Sequence, residues 1–489
     1  MNQIDSKLTN NQAVGGIVKI YIAIAGAVLL LLMSFGVLMK SAQGQIVNLN
    51  PAVFYQILTA HGIGMVAIAG FGGAAIMWHF LSKYVKLRNG MAIANLVLFL
   101  LGVAMVLASI FIGGFAAAWT FLFPLPSHSM GLWSNHAAAM YMGGVLVVGV
   151  GFLLFYLETA SAIIREYGSF TKALGWRYLS TGNAIDAPPP AVIASSVAAL
   201  INIVSILVGA IILVMMLVNL YVPAFKINPL LAKNLIYLFG HVFINAAIYM
   251  AVIAVYEILP QYTGRPWKVY KPFVWSWTAT CLMALAVYPH HLLMDFAQPL
   301  WVHVMGQIVS YTSSLPVLAV TLTGTLGIIY RSGIKWDLTS SLLVLSIFGW
   351  SAGVVPAVID GTIAVNTVMH NTLWVPGHFH LYLLLGCVSM IFAFLSWASH
   401  SGQRADFSRT EKYAFGLFLI GATGFVLMFL VSGQSSVPRR WAVHLTQWQG
   451  NDQIAAIFAF AVFLAASSIV IHALVRLAKS INTGSAKAG

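Results

Sequence analysis

The chain is divided into about twelve unbroken apolar runs of roughly 18 to 28 residues, and in runs that long the favoured structure is a helix crossing a lipid bilayer. They cover 16-39, 54-82, 91-117, 136-158, 192-220, 232-258, 272-294, 301-330, 339-359, 373-397, 413-432 and 453-476. In hydrocarbon each backbone N–H and C=O has to be satisfied without water, which the α-helix does within its own segment. The expected fold is therefore an all-α membrane protein, about twelve transmembrane helices in a single bundle, with 1-489 as one integral-membrane domain. Charge is sparse enough to agree: 7% of the 489 residues are Asp, Glu, Lys or Arg, against roughly 25% in soluble domains.

The few charges fix an orientation. Lys and Arg collect in alternate loops: KYVKLRN after the second run, REYGSFTKALGWR after the fourth, GRPWKVYK after the sixth, RSGIK after the eighth and RADFSRTEK after the tenth. By the positive-inside rule these loops and both termini are cytoplasmic, so even-numbered spans run from outside to inside. The formal charge of +13 is thus a topology signal, with no clustered patch for nucleic acid. The polar start MNQIDSKLTNNQ leads into a full-length apolar run, read as a retained first span and not a removed signal. Cys281 and Cys387 both lie in apolar runs without a CxxC or CxxCH spacing, which excludes a thiolate metal centre or covalently attached haem in this chain.

Orientation gives each histidine a depth. His61 falls early in span two, His241 in the first half of span six, His290 and His291 late in span seven, and His378 and His380 early in span ten. All six lie in the outer half of the bilayer. Ionisable groups there are costly without a task, and ligands from four helices must meet at one level to build a site.

Their spacing suggests the chemistry. At about 100° per residue the adjacent pair His290 and His291 diverges, and needs a third imidazole, for which His241 is the candidate, to grip one ion. Three neutral imidazoles with an open position suit copper, iron or zinc. His378 and His380 leave their helix roughly 200° apart, so they face opposite sides and serve two centres. His61, flanked by small residues in ILTAHGIGM, can pair with one of them across a flat macrocycle, giving an iron with two axial imidazoles. The other would hold a second haem from one side only, facing the three-imidazole ion. Outside, VPRRW sets Arg439 and Arg440 at the level of the haem edges, where paired guanidinium forks suit propionates.

The residues LTAHG at 58-62, AWTFLFPLP at 118-126, GH at 240-241, YEILP at 256-260, PHH at 289-291, SSLPVLAVT at 313-321, HNTLWVPGHFHL at 370-381 and PRR at 438-440 resemble subunit I of the haem-copper oxidase superfamily. The resemblance spans essentially all twelve runs, and HNTLWVPGHFHL is most similar to the B-type branch. It implies two haems and a B-site metal, copper or iron. His61 and His380 would ligate a low-spin haem and His378 a high-spin one. His241, His290 and His291 would hold the B-site ion, Arg439 and Arg440 the propionates, with His370 in the outer polar network. It also implies a bacterial-type inner membrane, a second subunit with a dinuclear copper or c-type haem on the outer side, and a soluble cytochrome c or cupredoxin donor.

The departure concerns the radical donor. A- and B-type oxygen reductases carry a cross-linked tyrosine one turn after the first B-site histidine; here that position is Asn245. The C-type position, six residues before the HH pair, is Ala284, and Tyr288 lies about 200° from His290 and points away. An amide forms no phenoxyl radical. Reducing two nitric oxide molecules to nitrous oxide and water takes two electrons and two protons and no such donor. The expected activity is nitric oxide reduction, with Asn245 offering an amide to the site, and with a B-type oxidase reducing oxygen as the alternative. A transporter moving metal or protons past the histidines, and a plain dihaem cytochrome, are the remaining readings. The usual span-six glutamate is replaced by Val242 and Phe243. A polar track of Tyr256, Glu257, Thr278, Ser310, Thr312 and Ser313 is the candidate proton route from the cytoplasm.

Overall fold

A computed structural model describes residues 14–119 and 122–485, with side chains up to 479. Thr120 and Phe121, part of the AWTFLFPLP match, lie outside the described residues. Among those residues the bundle consists of α1 (Gly16–Gln43), α2 (Pro51–Leu81), α3 (Asn89–Phe111), α4 (Asn135–Tyr167), α5 (Pro190–Tyr221), α6 (Pro229–Thr263), α7 (Lys271–Ala286), α8 (Leu300–Ile329), α9 (Leu338–Asp360), α10 (Trp374–Ser399), α11 (Arg409–Gln434) and α12 (Thr446–Ser485). Eleven of these are long and apolar enough to cross a membrane.

The exception is α7, where a continuous helix over 272-294 is expected. It stops at Ala286 and the chain continues as a 3₁₀ turn, Tyr288–Leu292. Pro289 has no N–H to give to the carbonyl four residues back, so the α ladder fails there. His290 and His291 therefore stand on a tight turn, where successive side chains separate by about 120° and not 100°. Prolines also shape α8, which breaks at Ser314 just before Pro316.

The first and last helices run antiparallel: Lys40 bonds Asp452 near one end, and Gly26 packs against Val470 further along. The described chain thus begins and ends on one side of the bundle. The basic loops gather at that side too. Arg88 and Arg165 pair with Glu158, Lys83 lies 4.0 Å from Glu257, Arg265 donates to the carbonyl of Tyr330 at 2.6 Å, and Ala405 N–H bonds Asp337. The alternation of charge along the sequence is therefore a real segregation in space.

One irregularity sits beside the site. After His380 the α10 backbone widens into a π-helix, Leu381–Val388, before returning to α at Ser389. A wider helix needs space from its neighbour, and α9 gives it at two glycines. A Cβ on Gly349 would stand 2.4 Å from Leu385 Cβ, and one on Gly353 would meet Leu381 and Tyr382 at 3.2 and 3.3 Å. Gly349→Ala is expected to cost about 1–3 kcal/mol through overpacking, read as a lowered midpoint of thermal unfolding in detergent. An unchanged midpoint would mean the π segment relaxes freely.

A backbone staple closes the outer end. Thr372 and Pro438 form an antiparallel bridge, Leu373 N–H donates to Val437 O at 2.9 Å, and Arg439 N–H donates to Asn371 O at 2.9 Å. It clips the loop before α10 to the loop after α11.

Candidate functional site

All six histidines singled out above line one internal cavity of about 440 Å³. On one wall, α6 brings His241 to the 3₁₀ turn that carries His290 and His291. One ring nitrogen from each lies within 4.8 Å of the others, and ring centroids are 4.3–5.0 Å apart. His241 Nδ1 and His291 Nε2 stand 2.9 Å apart, close enough to share a proton or a cation. His290 Nδ1 is tied to Ser310 Oγ at 3.0 Å, which leaves Nε2 as its free ligand atom. Gly306 on α8 lets the turn settle, since a Cβ there would lie 3.1 Å from His290 N.

The α10 pair diverges as the helical angle requires. His380 lies face to face with Phe429 of α11, centroids 5.3 Å apart, and its Nδ1 bonds Pro376 O at 2.7 Å. His61 Nδ1 bonds Leu32 O at 2.7 Å. Both imidazoles are thus locked with Nδ1 as donor, leaving Nε2 as the ring nitrogen for a ligand. The glycines flanking His61 lie against protein neighbours. A Cβ on Gly62 would strike Trp119 at 2.6 Å and one on Gly64 would strike Leu32 at 2.8 Å. They admit protein neighbours, and it is Gly36 of α1 whose missing Cβ makes room for the His61 ring, at 3.2 Å. His378 turns the other way, its Nδ1 3.4 Å from Asp360 Oδ2 at the end of α9.

Arg439 and Arg440 line the same cavity at its stapled outer end. Burial, with Arg440 alongside, pushes Arg439 down to about 10, so it remains cationic at neutral pH. His370 sits in this outer network, with Nδ1 3.2 Å from Asn371 Oδ1 and a ring hydrogen bond to the backbone of His291; burial, then Arg439, holds it below the ordinary imidazole range.

Asn245 lines the cavity, while Ala284 is buried and Tyr288 points away, its hydroxyl donating to Asn234 Oδ1 at 3.2 Å. Three groups escaped the sequence reading. Tyr237, one turn before His241, stacks on His291 with centroids 5.0 Å apart and planes 13° apart. Lys40 and His444 both bond Asp452 at 2.6 Å, and the Lys40 ammonium stands 4.8 Å from the Phe429 ring that covers His380. Asp360 was the third. A lone lysine and a lone aspartate near the ends of apolar runs were the signal available for two of them.

The proposed polar track assembles only in parts. Ser310 touches His290 and Ser313 lines the cavity, but Tyr256 bonds Thr321 at 2.7 Å, Glu257 accepts from Tyr84 at 2.9 Å, Thr278 accepts from the indole of Trp176 at 3.0 Å, and Thr312 bonds back to Ile308 O. Tyr256, Glu257 and Thr278 hold helices together.

The family profile described as cytochrome C and quinol oxidase polypeptide I matches residues 16–466. The chain belongs to that family. Among its relatives, the cytochrome c oxidase subunit 1 of Thermostichus vulcanus is 24% identical over 84% of this chain and 74% of its own length. The cytochrome c oxidase polypeptide 1 of Halobacterium salinarum is 23% identical over 84% and 69%. A heme-copper terminal oxidase dimer solved by cryo-EM superposes with a TM-score of 0.77 at 20% identity, covering 94% of this chain and 83% of that one. The fold is shared with that oxidase, and the chain is a multi-pass membrane protein of the haem-copper superfamily.

The donor set suits the groups such a family uses. Imidazoles with Nδ1 held and Nε2 free are what haem iron takes axially. Three clustered imidazoles suit a copper or iron ion, and buried guanidinium groups at the cavity mouth suit carboxylates.

Proposed function

We propose that this chain is the catalytic subunit of a membrane-bound terminal reductase that reduces nitric oxide to nitrous oxide. In it His61 and His380 hold a low-spin haem, His378 a high-spin haem, and His241, His290 and His291 a copper or iron ion. Arg439 and Arg440 take the propionates. These metal centres, when bound, would collect two nitric oxide molecules and supply the two electrons that, with two protons, yield nitrous oxide and water. The chain's own residues do the rest. Apolar walls formed by Val66, Ile244 and Ile248 admit a small uncharged gas and keep bulk water out. Ser310 bonds Nδ1 of His290 and orients its ring. Asn245 lines the cavity with an amide that accepts or donates a hydrogen bond but gives up no proton.

Asn245 carries the choice of substrate, since the phenol that oxygen reductases place there is absent. The second reading, a B-type oxidase reducing oxygen to water, has its own support. The relatives at 23–24% identity carry the oxidase name, and Tyr237 sets another phenol against His291. Electrons would arrive through a second subunit on the outer side, fed by a soluble cytochrome c or cupredoxin, in a bacterial-type inner membrane.

Gas turnover by the purified complex decides between them. Nitric oxide consumption is expected to exceed oxygen consumption at least about tenfold, equivalent to about 1.4 kcal/mol in barrier; rapid oxygen reduction with negligible nitric oxide consumption removes the proposal. Asn245→Tyr is expected to leave oxygen turnover low, because a useful phenol must also be aligned by its neighbours. Robust oxygen reduction by that variant would show that the phenol was the only element lacking.

A further inference from the structure

The three imidazoles assigned to haem iron differ in what holds their second nitrogen. Nδ1 of His61 and of His380 each meets a backbone carbonyl at 2.7 Å. Nδ1 of His378 is sealed from solvent and no described residue offers it a well-formed hydrogen bond; what faces it, at 3.4 Å, is a carboxylate oxygen of Asp360. The side chains of His378 and Asp360 are only 18% and 11% exposed.

A carboxylate at that depth is retained at a cost unless it has partners. The Asn366 amide donates to the backbone oxygen of Asp360 at 2.7 Å and draws on Oδ1 at 3.4 Å, while Oδ2 is turned toward His378. Iron on Nε2 fixes the proton on Nδ1, making that nitrogen an obligatory donor inside a sealed wall. A shift of about half an ångström then closes the contact to an ordinary charge-assisted hydrogen bond. A charged acceptor draws the N–H proton further than a carbonyl does. The ring becomes a stronger electron donor to its metal, as outer partners of ligating histidines do generally.

We propose that Asp360 is the positioning residue of the high-spin haem: it accepts the Nδ1–H of His378, gives that ligand imidazolate character, and lowers the reduction potential of this haem relative to the carbonyl-held low-spin one. The proposal rests on His378 being the high-spin ligand, and is independent of which gas is reduced.

Resonance Raman and redox titration of the purified, haem-loaded protein test it. In Asp360→Asn the iron–histidine stretching band of the reduced high-spin haem moves to lower frequency and the midpoint potential of that haem rises, while the low-spin potential stays put. Asp360→Glu restores part of both. Asn366→Ala removes the amide competing for the carboxylate and moves the same band to higher frequency. A band unmoved by Asp360→Asn with haem bound overturns the proposal, as does an equal potential shift at both haems. Should Asp360→Asn emerge without its high-spin haem, the Asn366→Ala band decides alone: an upward shift supports the proposal and an unmoved band ends it. A wild-type preparation lacking high-spin haem altogether would sink the ligand assignment instead.

Discussion

Replacing His378 by alanine is expected to remove the high-spin haem signature from the visible spectrum, leave the low-spin bands in place, and reduce gas turnover to background. His61→Ala is expected to do the reverse to the spectrum while also silencing electron delivery. The separation follows from geometry. His378 leaves α10 toward α9 and Asp360, whereas His380 leaves it toward Phe429 of α11, within electrostatic reach of His61. Loss of one axial imidazole from a two-imidazole iron opens a coordination position; loss of the single protein ligand releases the haem. Spectra of both variants, recorded with pyridine-extract haem counts, read the outcome. Identical losses from the two variants would mean that the histidines do not divide between two centres.

His241→Ala is expected to empty the third metal site. The 3₁₀ turn offers His290 and His291 with nothing else of their kind among the described residues within 4.8 Å, so two imidazoles remain where three are grouped. Elemental analysis should show this ion falling from one equivalent toward none while both haem irons stay, with turnover at background. Ser310→Ala probes the same site more gently. It frees Nδ1 of His290 without removing a ligand, and a lost outer partner costs about 10–100-fold in metal affinity. Full metal retention by His241→Ala would place the ion elsewhere.

The sequence contained the number and type of the helices because hydrocarbon permits one local solution, and lengths of apolar chain report it directly. It also contained the depth of the histidines, since alternating basic loops set direction and direction sets level. From these alone His61, His241, His290, His291, His378 and His380 could be expected on one cavity, and they are. Arg439 and Arg440 were legible for the same reason, as positive charge on the side where it is disfavoured.

Tertiary structure decided what depends on neighbours distant in the chain. The glycines beside His61 serve Trp119 and Leu32 because helix packing, not the motif, determines what occupies the space a missing Cβ leaves. The π segment after His380 has no local signal in LYLLLGCV; it exists because Gly349 and Gly353 of α9 give it room. Asp360 and Tyr237 looked like one polar end residue and one aromatic among many until α9 was laid beside α10 and the 3₁₀ turn beneath α6. Periodicity fixes which way a side chain leaves its own helix. What it meets there is set by close packing of other helices, which no single stretch of sequence encodes.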